Sequence, residues 1–345
     1  MEFRTLGRTG MQVSPLCLGT MMFGAWGNTD HDESVRIIHA ALDAGINIVD
    51  TADMYSQGES EEIVGKALAN GRRDKVVLAT KVHNPMGEDV NMRGNSRRWI
   101  MRAVEDSLRR LRTDHLDLYQ IHRPDPRTDI DETLGALTDL VRQGKIRSFG
   151  SSTFPAHEIV EAQWVAERRG RERLATEQPP YSMLTRGIEA DVLPVAGKYG
   201  MGVLTWSPLA GGWLTGAYRK GAGTPDTHRA RYGYMPEKYD VTYPGNAAKL
   251  AAADALAQLA DDAGLSLVHL ALAFVAAHPA VTAPIIGPRT MAQLESQLGA
   301  ADVVLSDELL DRIDKIVPPG STLAADDAGY VPPALTDASL RRRRH

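Results

Sequence analysis

Short runs of consecutive apolar residues alternate along this chain with longer stretches in which apolar positions recur every three or four residues. That alternation predicts strands followed by helices. Eight runs have strand character, at 15–19, 46–55, 75–83, 116–125, 146–152, 174–178, 202–207 and 283–287. Between them, Val35, Ile38 and Leu42 form one helical face behind Asp30, with Glu33 at capping-box spacing and Gly45 as the stop. Ile63, Val64, Ala67 and Leu68 form the next, from about Ser60 to Gly71. Ile100, Val104, Leu108 and Leu111 follow from Ser96, and Leu134, Leu137 and Val141 precede Gly144. Eight strands separated by helices make an α/β chain with the count of a (β/α)8 TIM barrel, for which about 250 residues suffice.

The residues beyond that count fall in three places. A short N-terminal β-hairpin is expected over 3–13, around Gly7, Arg8, Thr9 and Gly10. Residues 209–243, after the seventh strand, are rich in Gly, Pro, Tyr and Arg and lack periodicity, so this long loop is assigned to the rim of an active site. Residues 318–345 end in Arg341 to Arg344. The expected organisation is a single domain over 1–317 followed by a C-terminal tail over 318–345.

Composition narrows the function classes. The 345 residues are 43% hydrophobic and 24% charged, ordinary for a globular chain. The net charge of −5, from 39 basic and 44 acidic residues, offers no basic excess for nucleic acid, so the partner is expected to be a small molecule. A lone cysteine, Cys17, leaves no internal disulfide and fits strand packing in a reducing compartment. The first ten residues lack an apolar signal region and no unbroken apolar stretch nears the roughly 20 residues that span a bilayer, so no membrane and a cytoplasmic location are expected. HExxH, paired-cysteine and His-x-His patterns are lacking, and no metal is expected. Oligomeric state stays open.

Four residues stand at or just past the ends of three strand-like runs: Asp50 and Tyr55, Lys81, and His122. In a parallel barrel those ends share one mouth. A phenol near its ordinary pKa of about 10 is a poor proton carrier at neutrality, and an adjacent ammonium is expected to lower it while a carboxylate holds the ammonium in place. A histidine there can orient a substrate oxygen. Taken singly, each residue also has a plain structural use, as a loop cap, a rim charge or a core histidine. Together they suit proton transfer to a carbonyl oxygen, with hydride left to a nicotinamide.

The stretches LGTMMFG (18–24), DAGINIVDTADMY (43–55), LATKV (78–82), LDLYQIHRPD (116–125), GKIRSFGSSTF (144–154), EQPPYSML (177–184), TWSPLAGGWLTG (205–216) and IIGPRTMAQLESQL (285–298) resemble, in that order, the bacterial members of the aldo-keto reductase superfamily. The resemblance covers about 3–317. It implies an NADP-dependent enzyme that reduces aldehydes or ketones, with Asp50, Tyr55, Lys81 and His122 as catalytic tetrad and Tyr55 as general acid. It also implies cofactor contacts. Ser152 and Gln178 match residues that hold the nicotinamide carboxamide, Trp206 the aromatic stacked on the ring, and Ser207, Leu209, Gly211 and Leu214 the segment over the pyrophosphate. Gly287, Arg289, Gln293 and Gln297 match the phosphate and adenosine end, where a helix N-terminus favours an anion and Arg289 favours NADPH over NADH. Thr20, Met21 and Asp50 complete the set.

One departure is Thr153, where the family usually has Asn. Substrate choice is expected to lie with Phe23, Trp26, Met54, Asn84, Arg123, Trp213 and parts of 209–243, whose aromatic content favours an apolar or aromatic carbonyl compound. For Arg123 two readings stay open, a substrate carboxylate and a rim salt bridge. Two other functions also stay open. One is a nicotinamide-binding sensor or interaction subunit, as in the channel-associated members of the superfamily. The other is an NAD-linked dehydrogenase running towards oxidation.

Overall fold

The computed structural model describes residues 1–228 and 235–343. Part of the 209–243 loop, at 229–234, and Arg344 therefore lie outside the described residues. Two short strands, β1 (Arg4–Thr5) and β2 (Gln12–Val13), pair antiparallel as the expected hairpin. Eight parallel strands then close into a barrel: β3 (Cys17–Gly19), β4 (Ile48–Asp50), β5 (Val77–Val82), β6 (Leu116–Ile121), β7 (Ile146–Ser152), β8 (Thr176–Gln178), β9 (Gly202–Thr205) and β10 (Ala283–Ile286). β10 pairs with β3, which leaves the sheet without an edge. This is the (β/α)8 TIM barrel, and all eight strands fall on the runs singled out above.

The helices α1 (His31–Asp43), α2 (Glu59–Ala67), α3 (Arg97–Leu111), α4 (Ile130–Arg142), α5 (Ala156–Arg169), α6 (Val192–Tyr199), α7 (Ala247–Asp262) and α8 (Leu267–Ala277) lie between the strands, and α9 (Met291–Leu298) and α10 (Asp307–Ile316) follow them. Local chemistry sets their starts. Asp30 caps α1 by accepting from the Glu33 amide at 2.9 Å. The reciprocal half of the capping box is replaced, because Asn28 Oδ1 takes the Asp30 amide at 3.0 Å. Ser96 caps α3 by accepting from the Trp99 amide. Among the described residues no single helix is long and apolar enough to cross a membrane.

Strand alternation divides the apolar residues into two cores. Leu18, Val49, Leu78, Tyr119, Ile121, Phe149, Val203 and Ile286 face outward under the helices. Cys17, Ile48, Ala79, Leu118, Leu204 and Ala283 fill the barrel interior, and Leu6 and Val13 of the hairpin join them. The hairpin sits tightly on the sheet: Gly7 has a φ of +55°, and a Cβ there would come within 2.4 Å of the Gly202 amide nitrogen. Past residue 317 the chain returns to the barrel, where Leu323 donates to the Leu184 carbonyl at 3.1 Å and Arg186 to the Ser321 carbonyl at 2.7 Å.

Candidate active site

A strand's side chains repeat on one face every two residues. Since Ile48, Ala79, Leu118 and Leu204 point into the barrel, the same faces carry Asp50, Lys81, then Gln120 and His122, then Trp206 towards the strands' C-terminal mouth. The interior thus changes from apolar to charged along its length. Asp50, Lys81 and His122 are buried there.

Lys81 Nζ is the hub. It donates to Asp50 Oδ2 at 2.5 Å, to the Thr51 carbonyl at 2.8 Å and to the Tyr55 hydroxyl at 3.2 Å. The other Asp50 oxygen accepts from Gln178 Nε2 at 2.8 Å, reaching from β8, and from Gln120 Nε2 at 3.3 Å. A buried ion pair holds when its remaining lone pairs and protons are satisfied, and here they are. Burial disfavours the Lys81 ammonium, but Asp50 and Tyr55 outweigh it and its pKa is raised. Tyr55 differs from the expectation: burial raises the phenol above its ordinary value, and Lys81 offsets only part of that rise. The hydroxyl is therefore protonated at neutral pH.

The Tyr55 and His122 rings meet edge to face, with centroids 5.8 Å apart. Burial, then Lys81 and Arg123, push His122 well below the ordinary histidine range. Its Nδ1 lies 3.1 Å from Asn84 Nδ2. An amide NH2 can only donate, so Nδ1 accepts and Nε2 carries the ring proton. Asp53, three residues past Asp50, is equally deep, yet neither of its oxygens has a well-aligned hydrogen-bond partner among the described residues; the Met54 amide lies nearest to serving as one. Burial and Glu61 raise it well above the carboxylate range.

The expected cofactor residues divide into two groups. Ser152 Oγ donates to the Gln178 carbonyl at 2.9 Å and accepts from the Thr153 hydroxyl at 3.4 Å, which leaves one lone pair free. Trp206 is half-buried, and its indole N–H donates to Thr153 Oγ1 at 3.3 Å. Thr153 holds a φ of +59°, a conformation that strains a β-branched residue by about 1–3 kcal/mol. The departure from Asn thus supplies the hydroxyl that orients Trp206. Met21, Leu209 and Gly211 are half-buried and Ser207 is exposed. The Arg289 backbone is pinned by Gln293 Oε1 and Asn28, while its guanidinium has no carboxylate partner among the described residues. Gln297 Oε1 is buried without a partner among the described residues, and a Cβ on Gly287 would meet open space. A half-exposed indole, free acceptors and an unpaired guanidinium fit a phosphorylated dinucleotide.

Other residues lie elsewhere than expected. Thr20 is fully buried, with its hydroxyl on the Asp50 carbonyl at 3.2 Å and beside Ser60 Oγ at 2.9 Å, so it braces Asp50. Leu214 and Phe23 are core residues with no exposed surface. Trp213 is also fully buried, stacked on Tyr218 with centroids 4.0 Å apart, and is not on the rim. Large apolar side chains in a loop go where burial is available. Trp26 does stand by the site, 6.2 Å from the Tyr55 ring. Sequence reading missed Gln120 and Gly329. Gln120 was findable, two residues before His122 on one strand face. Gly329 was not: a Cβ there would come within 2.6 Å of the Trp206 ring, a contact made by the chain's far end.

A family model described as the aldo/keto reductase family matches residues 15–318. The "Uncharacterized oxidoreductase YrpG" of Bacillus subtilis is 44% identical over 329 residues, covering 92% of this chain and 96% of that protein. "Aldo-keto reductase YhdN" of the same organism is 37% identical, covering 86% of this chain and 87% of its own. A protein of Oryza sativa subsp. japonica described as "Probable voltage-gated potassium channel subunit beta" is 35% identical, covering 92% and 97% respectively.

Proposed function

This chain belongs to the aldo/keto reductase family, and we propose that it reduces aldehyde or ketone carbonyls to alcohols with NADPH, using Tyr55 as the proton donor. The observation that carries the reading is a phenol hydroxyl held 3.2 Å from a buried lysine nitrogen that Asp50 fixes in place. Reduced nicotinamide supplies the hydride. Ser152, Gln178 and Trp206 hold that ring, and Arg289 with Gln293 and Gln297 hold the adenosine phosphate end. His122 donates its Nε2 proton in a hydrogen bond to the carbonyl oxygen and orients it. Tyr55 gives its hydroxyl proton to the same oxygen, and Lys81 stabilises the phenolate left behind.

The test is the loss of NADPH absorbance with a panel of aromatic and aliphatic carbonyl compounds, run beside Tyr55→Phe. The expected result is turnover that falls roughly 10²- to 10⁴-fold in the variant, the range of general acid catalysis, with NADPH still bound. The similarity to the described channel subunit favours one second reading, a nicotinamide-binding sensor. NADPH binding without turnover in the wild type would select it. A preference for NAD and alcohols would select a dehydrogenase.

A further inference from the structure

Arg123 follows His122 directly and stands at the mouth between the proton-transfer residues and Trp206. Its Nη1 donates to the His122 carbonyl at 2.6 Å, and its guanidinium lies 5.8 Å from the centre of the Trp206 ring. It is only partly exposed. Its one hydrogen bond leaves Nε and Nη2 without partners among the described residues. Among the described residues no carboxylate lies within 4.0 Å of it, so the salt-bridge reading of this residue fails.

The neighbouring acids are committed elsewhere. Asp125 binds the Asn95 and Arg127 amides and the Thr128 hydroxyl. Glu177 is held by Ser151 Oγ at 2.5 Å and the Phe154 amide at 3.1 Å, and burial raises its pKa to about 7. A guanidinium drawn out of water without a counter-charge is unfavourable unless a ligand supplies one. Its planar fork matches a carboxylate in two parallel hydrogen bonds.

We propose that Arg123 is a specificity-determining residue that binds a carboxylate on the substrate, so that the preferred substrates are carbonyl compounds bearing a carboxylic acid. This rests on the carbonyl-reductase reading and deepens it. Trp26 beside Tyr55 and Trp206 beneath Arg123 provide flat apolar walls, and an aromatic or short unsaturated spacer between carbonyl and carboxylate suits them.

The experiment compares kcat/KM for 4-carboxybenzaldehyde with that for benzaldehyde in the wild type, Arg123→Gln and Arg123→Lys. In parallel, calorimetry measures benzoate against benzamide binding to the NADP-loaded chain. The wild type is expected to favour the carboxylated aldehyde by roughly 10- to 100-fold, the range for a charge-assisted hydrogen bond. R123Q should collapse that ratio towards one, and R123K should restore part of it. A wild-type ratio near one, or equal losses on both aldehydes in R123Q, overturns the proposal, since equal losses mean Arg123 only supports Tyr55 electrostatically. If nothing turns over, the reductase reading fails on its own. Benzoate binding that exceeds benzamide binding and is lost in R123Q would then still support the carboxylate site, and equal binding would overturn it.

Discussion

Two lysines among the described residues have no exposed surface, and their surroundings match closely. Lys81 pairs with Asp50 at 2.5 Å and lies 4.9 Å from the Tyr55 ring centre. Lys249, in the first turn of α7, pairs with Asp327 at 2.8 Å and lies 4.7 Å from the Trp213 ring centre. Their pKa values nevertheless move in opposite directions. At Lys249, burial lowers the pKa, and Lys238, which binds the other Asp327 oxygen at 2.7 Å, competes for the same charge. At Lys81, Asp50 and Tyr55 outweigh burial.

The aromatic partner separates the two roles. A phenol has a proton to give, and its residue opens on the barrel mouth. The Trp213 indole has no such proton; its N–H is fixed on the Lys238 carbonyl at 3.2 Å. The second cluster is a brace that ties the loop after β9, the start of α7 and the returning C-terminal segment together. Gly329 then lies against Trp206, two residues past Asp327. A buried Lys–Asp–aromatic group is therefore no mark of catalysis by itself.

Exchanging each lysine for methionine tests the distinction most strongly. Lys81→Met should lower turnover on the order of 10²-fold or more, with NADPH affinity far less changed, because it removes the charge that stabilises the phenolate. Equal loss of both in stopped-flow measurements would break the assignment. Lys249→Met should leave single-turnover hydride transfer much nearer wild type and lower unfolding stability by about 3 kcal/mol, the lower end for a broken buried pair, since Lys238 still meets Asp327. Urea titration reads that value.

A cation without a carboxylate partner among the described residues should act through its ligand alone. Arg289→Ala is expected to weaken NADPH binding about 10-fold, or ~1.4 kcal/mol, and NADH binding hardly at all, with fluorescence titration as the check. The smallest effect concerns pH. Tyr55 is raised and His122 lowered, so reductive kcat should stay flat from about pH 6.5 to 9. In the unfolded chain His122 takes up a proton near pH 6.5. The folded chain resists that proton, so its stability is full above about 6.5 and declines as pH falls below it. His122→Asn should reduce that decline in urea titrations at pH 7.5 and 5.5.

How far the site was legible depended on what each residue's neighbours were. Asp50, Lys81 and His122 were readable because strand-end position and a period of two put them on one face. The same period would have placed Gln120 with them. Trp206 was readable for its position on its strand but not for its tie to Thr153 or Gly329. Phe23, Trp213 and Leu214 were misplaced because a loop has no period, and a loop aromatic serves a rim or a core depending on what packs over it. The upward direction of the Tyr55 pKa was also beyond reach, since the burial that outweighs Lys81 comes from the surrounding structure.

The sequence by itself determined the eight strands, the helices between them, the closing hairpin and the end of the barrel where the reactive groups emerge. Those properties follow from local periodicity, which hydrophobic burial enforces segment by segment. Only the tertiary structure decided the partners: Gln178 for Asp50 across the interior, Asn84 for His122, Asp327 for Lys249 at 78 residues' separation, and, among the described residues, no carboxylate for Arg123. Charge pairing and burial depend on distance in space. Chain closure sets that distance, and a one-dimensional pattern does not contain it.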